Sequence, residues 1–322
     1  MPMIQTTNLT KRYGEFLALS NLNLSIREGD CFGFIGPNGA GKTTTIKILA
    51  TLLKPSSGQA MIDGFTIGYQ NRRIRPLIGY VPDFMGAYDD VTVAEYLEFF
   101  AAAYNIHGAD RARVVGDVLV LTDLTYKGDA EVNSLSRGMQ QRLSVARVLL
   151  HDPKVLLLDE PASGLDPRAR IEMRELLKEL KRMGKTILIS SHILHELAEL
   201  CNTIGVIERG ELLFQGTVAE ILTRARMGRV VHLVVRQRTD AAAELLRKTP
   251  GVKKVIFADG AGVDNGAAAP PREIHLTFDD SAADVSDIPN RLVNAGFRLA
   301  KFVEEPVNLE TAFMRLTKGL VQ

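Results

Sequence analysis

The stretch GPNGAGKTTTIKILA, Gly36–Ala50, decides the fold. Its first eight residues fit G-x-x-x-x-G-K-[ST], with Lys42 and Thr43 closing the pattern. Glycines at these positions let the backbone curl so that its N–H groups point inward around phosphates. The lysine supplies a point charge to the outer phosphates, and the threonine hydroxyl suits Mg²⁺. The flanks agree with this reading. CFGFIG before the loop reads as a short buried strand, and KTTTIKILATLL after it as a helix, which Lys54-Pro55 is expected to stop. A chance glycine turn would not carry the whole pattern between a strand and a helix.

Moving outward, the sequence reads as an α/β protein. LALSNLNLSI alternates apolar and polar residues, as a half-buried strand does, and SGQAMIDG is a strand between turns. From about Met85 to Leu150 the pattern is helical. There TVAEYLEFFAAAYNI opens on a capping box of Thr92 and Glu95, and ADRARVVGDVLVLTDL follows as a second helix. KVLLLDEP and KTILISSH are continuous apolar runs, the signature of strands buried on both faces of a parallel sheet. PRARIEMRELLKELKRMG is a helix between them, bounded by Pro167 and Gly184. ILHELAELC is helical, and TIGVIERGELLFQGT is a hairpin turning at Arg209-Gly210.

The acidic end of KVLLLDEP completes the phosphate chemistry. Asp159, at a strand end, can hold Mg²⁺ through water. Glu160, next to it, can polarise an attacking water. His192 ends KTILISSH at the ligand side of such a sheet. There it either donates to the γ-phosphate or orients the water, or else neighbours a helix cap without a chemical task.

A second anion site is written further along, in EVNSLSRGMQQRLSVARVLL, Glu131–Leu150. A serine and a glycine lead into an amphipathic helix. Free N–H groups and the helix dipole favour negative charge at such an end.

Composition narrows the class. The chain has 322 residues, 46% of them apolar, with 39 Lys+Arg against 38 Asp+Glu. That is ample for a core and fits two domains. Balanced charge argues against a free nucleic-acid binder, so no nucleic-acid partner is expected. Cys31 and Cys201 have no cysteine or histidine at metal-ligand spacing and read as buried thiols of a reducing cytosol. No apolar run approaches the roughly 20 residues that span a bilayer, and the N-terminus carries no targeting signal. A soluble or peripheral protein is expected, with any membrane role supplied by a partner. After about Met227 the style changes to strand, helix, strand, strand, helix, strand and then the helix NLETAFMRLT. That order predicts a small α+β, ferredoxin-like unit. A Gly/Ala/Pro loop, GAGVDNGAAAPP, Gly260–Pro271, lies inside it.

Taken together the motifs resemble the nucleotide-binding subunits of ATP-binding-cassette (ABC) transporters, of the ABC-2-type exporter class. The likeness covers about Met3 to Leu222, in the family's order. It implies a P-loop ATPase domain, 1–226, with a RecA-like parallel sheet core, an antiparallel β subdomain and an α-helical subdomain at about 85–150. An accessory domain, 227–322, would follow. By resemblance, ATP and Mg²⁺ are the cofactors. Gly36, Pro37, Asn38, Gly39, Ala40, Gly41, Lys42, Thr43 and Thr44 would bind the nucleotide, with Tyr13 stacked on adenine. Thr43 and Asp159 would hold Mg²⁺, and Glu160 and His192 would be catalytic.

LSRGMQQR is the family's signature motif, and SGLD, Ser163, Gly164, Leu165 and Asp166, its dimer-contacting loop. Such ATPases pair head to tail, each ATP held between the phosphate loop of one subunit and the signature helix of the other. The resemblance thus explains the second anion site: Ser136, Arg137, Gly138 and Met139 would act in trans. It implies a homodimer joined by ATP, a separate integral membrane permease that docks on the helical subdomain, and a peripheral location on the cytoplasmic face of the cell membrane. NLETAFMRLT resembles the ending of ABC-2-type subunits, and the accessory domain would stabilise or regulate the dimer. Two places depart from the family pattern. The usual signature is LSGGQ, so Arg137 and Met139 stand for glycine and glutamine. Asp83, in YVPDFMG, stands where a glutamine usually touches Mg²⁺; an aspartate there either binds Mg²⁺ more directly or falls short of it.

Other readings fit less well. Repair-type ABC ATPases insert a long coiled coil or zinc cysteines before the signature, and translation types carry two cassettes. A small-molecule kinase has no use for LSRGMQQR, and a cassette that only senses ATP would lack Lys42 or Glu160.

Overall fold

The computed structural model describes residues 2–84, 86, 90–191, 194–226, 229–257, 273–279 and 284–304. The chain forms two units, Met1–Val218 and Ala219–Gln322. His192, the helix NLETAFMRLT and the whole Gly260–Pro271 loop lie outside the described residues.

The N-terminal unit is built on two sheets. Strands β1 (Pro2–Tyr13), β2 (Phe16–Arg27), β4 (Ser57–Ile62) and β5 (Phe65–Thr66) make an antiparallel sheet ordered β2-β1-β4-β5. The alternation of LALSNLNLSI becomes a strand with Leu19, Leu22, Leu24 and Ile26 buried. The second sheet has β3 (Cys31–Ile35), β6 (Ile78–Val81), β7 (Val155–Asp159), β8 (Thr186–Ser191), β9 (Thr203–Glu208) and β10 (Glu211–Thr217), in the order β10-β9-β3-β8-β7-β6. All pairings in it are parallel except the β9–β10 hairpin. Arg209 and Gly210, both at positive φ, form its turn, as two-residue hairpins require. The central strands are wholly buried; Leu156, Leu157 and Leu158 have no exposed surface. Each such side chain contributes about 1.5–3 kcal/mol by leaving water.

Helix α1 (Lys42–Leu49) follows the phosphate loop and ends before Lys54-Pro55, short of the expected stop. Thr51 takes a left-handed conformation (φ 61°), and the N–H groups of Leu52 and Leu53 both return to the Lys47 carbonyl. The chain thus closes the helix with its own αL cap rather than with the proline. Three longer helices, α3 (Val93–Ala103), α4 (Gly108–Leu121) and α5 (Arg137–Leu149), pack together as the helical subdomain. The single turn α2 (Asn71–Ile74) precedes them. Thr92 and Glu95 form the capping box that starts α3. Helix α6 (Pro167–Arg182) begins at Pro167 itself, with Asp166 capping it through Ala169 N–H at 2.9 Å. Helix α7 (Leu194–Leu200) precedes β9. Cys31 and Cys201, far apart in sequence, are buried with their Sγ atoms 3.6 Å apart.

Helix α8 (Val218–Arg226) leads into the C-terminal unit. There β11 (Arg229–Val235), α9 (Thr239–Arg247), β12 (Val252–Phe257), β13 (Ile274–Phe278), α10 (Asp287–Asn294) and β14 (Leu299–Glu304) follow in that order. The sheet is antiparallel and ordered β12-β13-β11-β14. Alternate residues Val231, Leu233 and Val235 of β11 bury against Ala242, Leu246, Ile288 and Leu292 of the helices. Among the described residues no helix is long and apolar enough to cross a membrane.

Candidate nucleotide-binding site

The site forms at the carboxyl ends of β3, β8 and β7, where parallel sheets receive ligands. The loop from β3 to α1 turns through Gly39 (φ 79°) and Gly41 (φ 108°), conformations that glycine reaches without strain. Gly41 is also hemmed in, since a Cβ there would stand 2.8 Å from the Ala18 carbonyl oxygen. Lys42 is buried, and its Nζ donates to the carbonyl oxygens of Gly36 at 2.7 Å and Pro37 at 3.2 Å. It also pairs with Glu160 Oε1 at 3.4 Å. The cation thus sits inside a ring of oxygens, as it would for phosphate.

Thr43 and Asp159 meet: Thr43 Oγ1 donates to Asp159 Oδ1 at 3.1 Å. β3 and β7 are not neighbours, because β8 lies between them. Ser190 on β8 bridges that gap. It aligns with Asp159 across the β7–β8 pairing and is fully buried. Its Oγ donates to Asp159 Oδ1 at 2.8 Å and accepts from the Glu160 N–H at 3.0 Å. Glu160 itself sits in the left-handed region (φ 51°), unusual for a residue with a side chain. One hydroxyl therefore positions both carboxylate residues. Sequence reading passed over Ser190, because a serine inside a buried strand carries no motif.

Burial raises the Asp159 carboxyl above its ordinary value, hydrogen bonds from Ser190 and Thr43 pull it back, and the charges of Glu160 and Asp83 push it up further. Burial also raises the Tyr80 phenol, with the nearby Asp159 charge adding to the effect, to about 12.

Lys42, Thr43, Asp159 and Glu160 line a cleft of about 420 Å³, together with Asn38, Gly39, Ala40, Gly41, Thr44, Tyr13, Asp83 and Ser163. Tyr13, at the end of β1, is 47% exposed on its rim. The signature residues do not line this cleft. Ser136 caps α5, accepting from the Met139 N–H at 3.3 Å. Gly138 packs on α6, where a Cβ would stand 2.6 Å from Ala169 Cβ. Arg137 alone reaches back toward the site, pairing with Asp83 at 3.7 Å. Its guanidinium also lies against Gly164 (φ 67°), whose Cβ would meet Arg137 Nη1 at 2.6 Å. Leu165 is buried and Asp166 is occupied as a helix cap.

Comparison with known proteins agrees with this geometry. Residues 19–163 match the family described as ABC transporter. The chain is 35% identical over 320 residues to Nod factor export ATP-binding protein I of Ralstonia nicotianae, covering 98% of this chain and 94% of that one. It is 30% identical to the linearmycin resistance ATP-binding protein LnrL of Bacillus subtilis, covering 98% of each. Two dimeric structures of the bacterial ABC transporter cassette MJ0796 superpose with TM-scores of 0.61 and 0.60, at 30% and 29% identity. Each covers 67% of this chain and 98% of the cassette, and the second is a post-hydrolysis state bound to ADP and Pi. A phosphate loop, an Asp-Glu strand end and a helix-capping signature, joined to relatives that match along almost the whole chain, make this protein an ATP-binding subunit of the ABC transporter family and an ABC ATPase.

Proposed function

We propose that this subunit powers export by a separate membrane permease, two copies closing head to tail on ATP and opening on hydrolysis. One observation carries the reading. The cleft gathers Lys42, Thr43, Asp159 and Glu160, while the capped end of α5 with Ser136 lies off that cleft in the same chain. A phosphate-binding helix end that its own chain does not use is available to a second copy. Export is the activity named for the Ralstonia relative. The location that follows is the cytoplasmic face of the cell membrane, held there through the permease.

The residues fit Mg²⁺. A hydroxyl and a buried carboxylate converge at 3.1 Å beside the phosphate loop, and burial penalises the carboxylate's charge, a penalty that a cation would offset. Bound there by Thr43 and Asp159, Mg²⁺ would neutralise charge on the phosphates. The chain's own groups do the rest. When phosphate oxygens draw Lys42 to themselves, its pull on Glu160 weakens, and that carboxylate can accept a proton from water. The water oxygen bonds to the γ-phosphorus, the bond to the β–γ bridging oxygen breaks, and ADP and phosphate result. Tyr13 would stack on the base, and Ser136, Arg137, Gly138 and Met139 would meet the partner's γ-phosphate.

The C-terminal unit fits a ferredoxin-like βαββαβ fold, because its strand order β12-β13-β11-β14 is antiparallel with both helices on one face. A role in DNA repair or translation finds no support in the short helical insert or in the balanced charge.

The test is sedimentation of Glu160→Gln with Mg-ATP and with ADP. A dimer with ATP and a monomer with ADP is the expected result. A monomer in both would remove the ATP-joined pair.

A further inference from the structure

The face of the C-terminal sheet turned away from α9 and α10 carries a cluster that does not line the nucleotide cleft. His232 on β11 and His275 on β13 are directly opposed across the antiparallel pairing. Their ring centroids are 4.1 Å apart. Glu273, just before β13, lies beside both: Oε1 is 3.7 Å from His232 Nδ1, and Oε2 is 3.9 Å from His275 Nε2. One ligand atom from each of the three residues falls within a 4.8 Å circle, the one such gathering of His, Cys, Asp or Glu among the described residues.

Strand alternation explains why they meet. Val231 and Leu233 face the helices, so His232 faces away, and Ile274 and Leu276 do the same for His275. All three side chains are half-buried, between 27% and 30% exposed. Lys301 on β14 donates to Glu273 Oε1 at 2.8 Å and holds the carboxylate in place. Carboxylates that bind metals are commonly oriented by such an outer hydrogen bond.

We propose that His232, His275 and Glu273 bind a divalent transition-metal ion of the Zn²⁺ type. Two imidazoles and one carboxylate select borderline ions over Mg²⁺ or Ca²⁺, which demand oxygen donors. Bonds of about 2.0–2.2 Å in a tetrahedral site place ligand atoms about 3.4 Å apart. Glu273 Oε1 stands 3.7 Å from one ring and Oε2 3.9 Å from the other, and the three ligand atoms lie within 4.8 Å of one another, so side-chain rotations must draw them together on the ion. Three protein ligands leave a coordination position for water or for a fourth donor. The ion would tie β11 to β13 on the face turned away from α9 and α10.

The experiment is calorimetric titration of the full chain with ZnCl₂ in Mg²⁺-free buffer, repeated with CoCl₂ to read the ligand set from its visible spectrum. One equivalent should bind to the wild type. His232→Gln and His275→Gln should each weaken it at least about tenfold, since even outer-shell losses cost that much. The spectrum should show nitrogen and oxygen donors without thiolate. Glu273→Gln gives a third variant if a histidine change disturbs folding, which thermal melting will reveal. Two results would overturn the proposal. One is unchanged Zn²⁺ binding in the His232→Gln/His275→Gln double variant. The other is binding that disappears when Cys31 and Cys201 become serine.

Discussion

Ser190→Ala removes a single oxygen from the centre of the site. That oxygen donates to Asp159 at 2.8 Å and accepts from Glu160 N–H at 3.0 Å, with no exposure to water that could substitute. A hydrogen bond to a carboxylate is worth about 1.5–3 kcal/mol and a neutral one about 0.5–1.5 kcal/mol. Thr43 still serves Asp159, which recovers part of the loss. The net cost should be about 3 kcal/mol. The N-terminal unit, Met1–Val218, belongs to the size class in which each kcal/mol lowers Tm by about 2–4 °C. Calorimetry of the nucleotide-free protein should therefore show its transition falling by about 6–12 °C. Catalysis should suffer as well, because Glu160 at φ 51° loses the bond that fixes its backbone. A fall in kcat of about tenfold to a hundredfold corresponds to about 1.4–2.7 kcal/mol of lost positioning. KM for ATP should change less, since Lys42 and its loop are untouched. A Tm within about 2 °C of wild type would show that the hydroxyl does not hold the two acids, because the bond energies above exclude so small a shift.

Lys42→Ala should abolish ATP binding, measured with a fluorescent nucleotide; near-normal turnover would remove the phosphate-loop assignment. Ser136→Arg should leave ATP bound to the monomer and block ATP-dependent dimerisation in sedimentation; loss of monomer binding would mean that the serine acts in its own chain. His151 supplies a pH test. Burial lowers its imidazole below the ordinary value of 6.5, the Ile78 carbonyl bond at 2.9 Å partly opposing this. A histidine depressed in the folded state stabilises above its unfolded value, and this is lost as pH falls through the depressed one. Urea midpoints should therefore drop on acidification below about pH 6.5. His151→Phe, which keeps the stack on Tyr104, should flatten that slope; an unchanged slope would assign it to other groups.

The elements that the sequence made legible are those specified locally. The phosphate loop, the buried strands, the Thr92 capping box and the Arg209-Gly210 turn all follow from residues within a few positions of one another. Long-range partners were legible only where motifs named both, as for Thr43 and Asp159. Ser190 sits beside Asp159 only because β8 inserts between β3 and β7, an order that strand patterns do not encode. Cys31 and Cys201 looked unrelated because 170 residues separate them, yet the β3–β9 pairing and the end of α7 bring them together. The end of α1 was misread because proline is a visible stop, whereas Thr51 in an αL cap is not. The His232–His275 pair depends on register, which two isolated strands do not reveal.

The contact between Arg137 and Asp83 bears on how this cassette can be recombined with others. By the resemblance read from the sequence, each residue would occupy a place where the usual family pattern has an uncharged one, glycine in the signature and glutamine in the loop after β6. In this chain the two meet at 3.7 Å, and Gly164 leaves room for the guanidinium between them. They therefore amount to one exchange rather than two. A chimaera that imports a standard signature alone strands a carboxylate at the cleft. One that imports the standard loop alone strands a guanidinium against the dimer loop. A crossover outside the span from Asp83 to Gly164 keeps the pair and its glycine neighbour together.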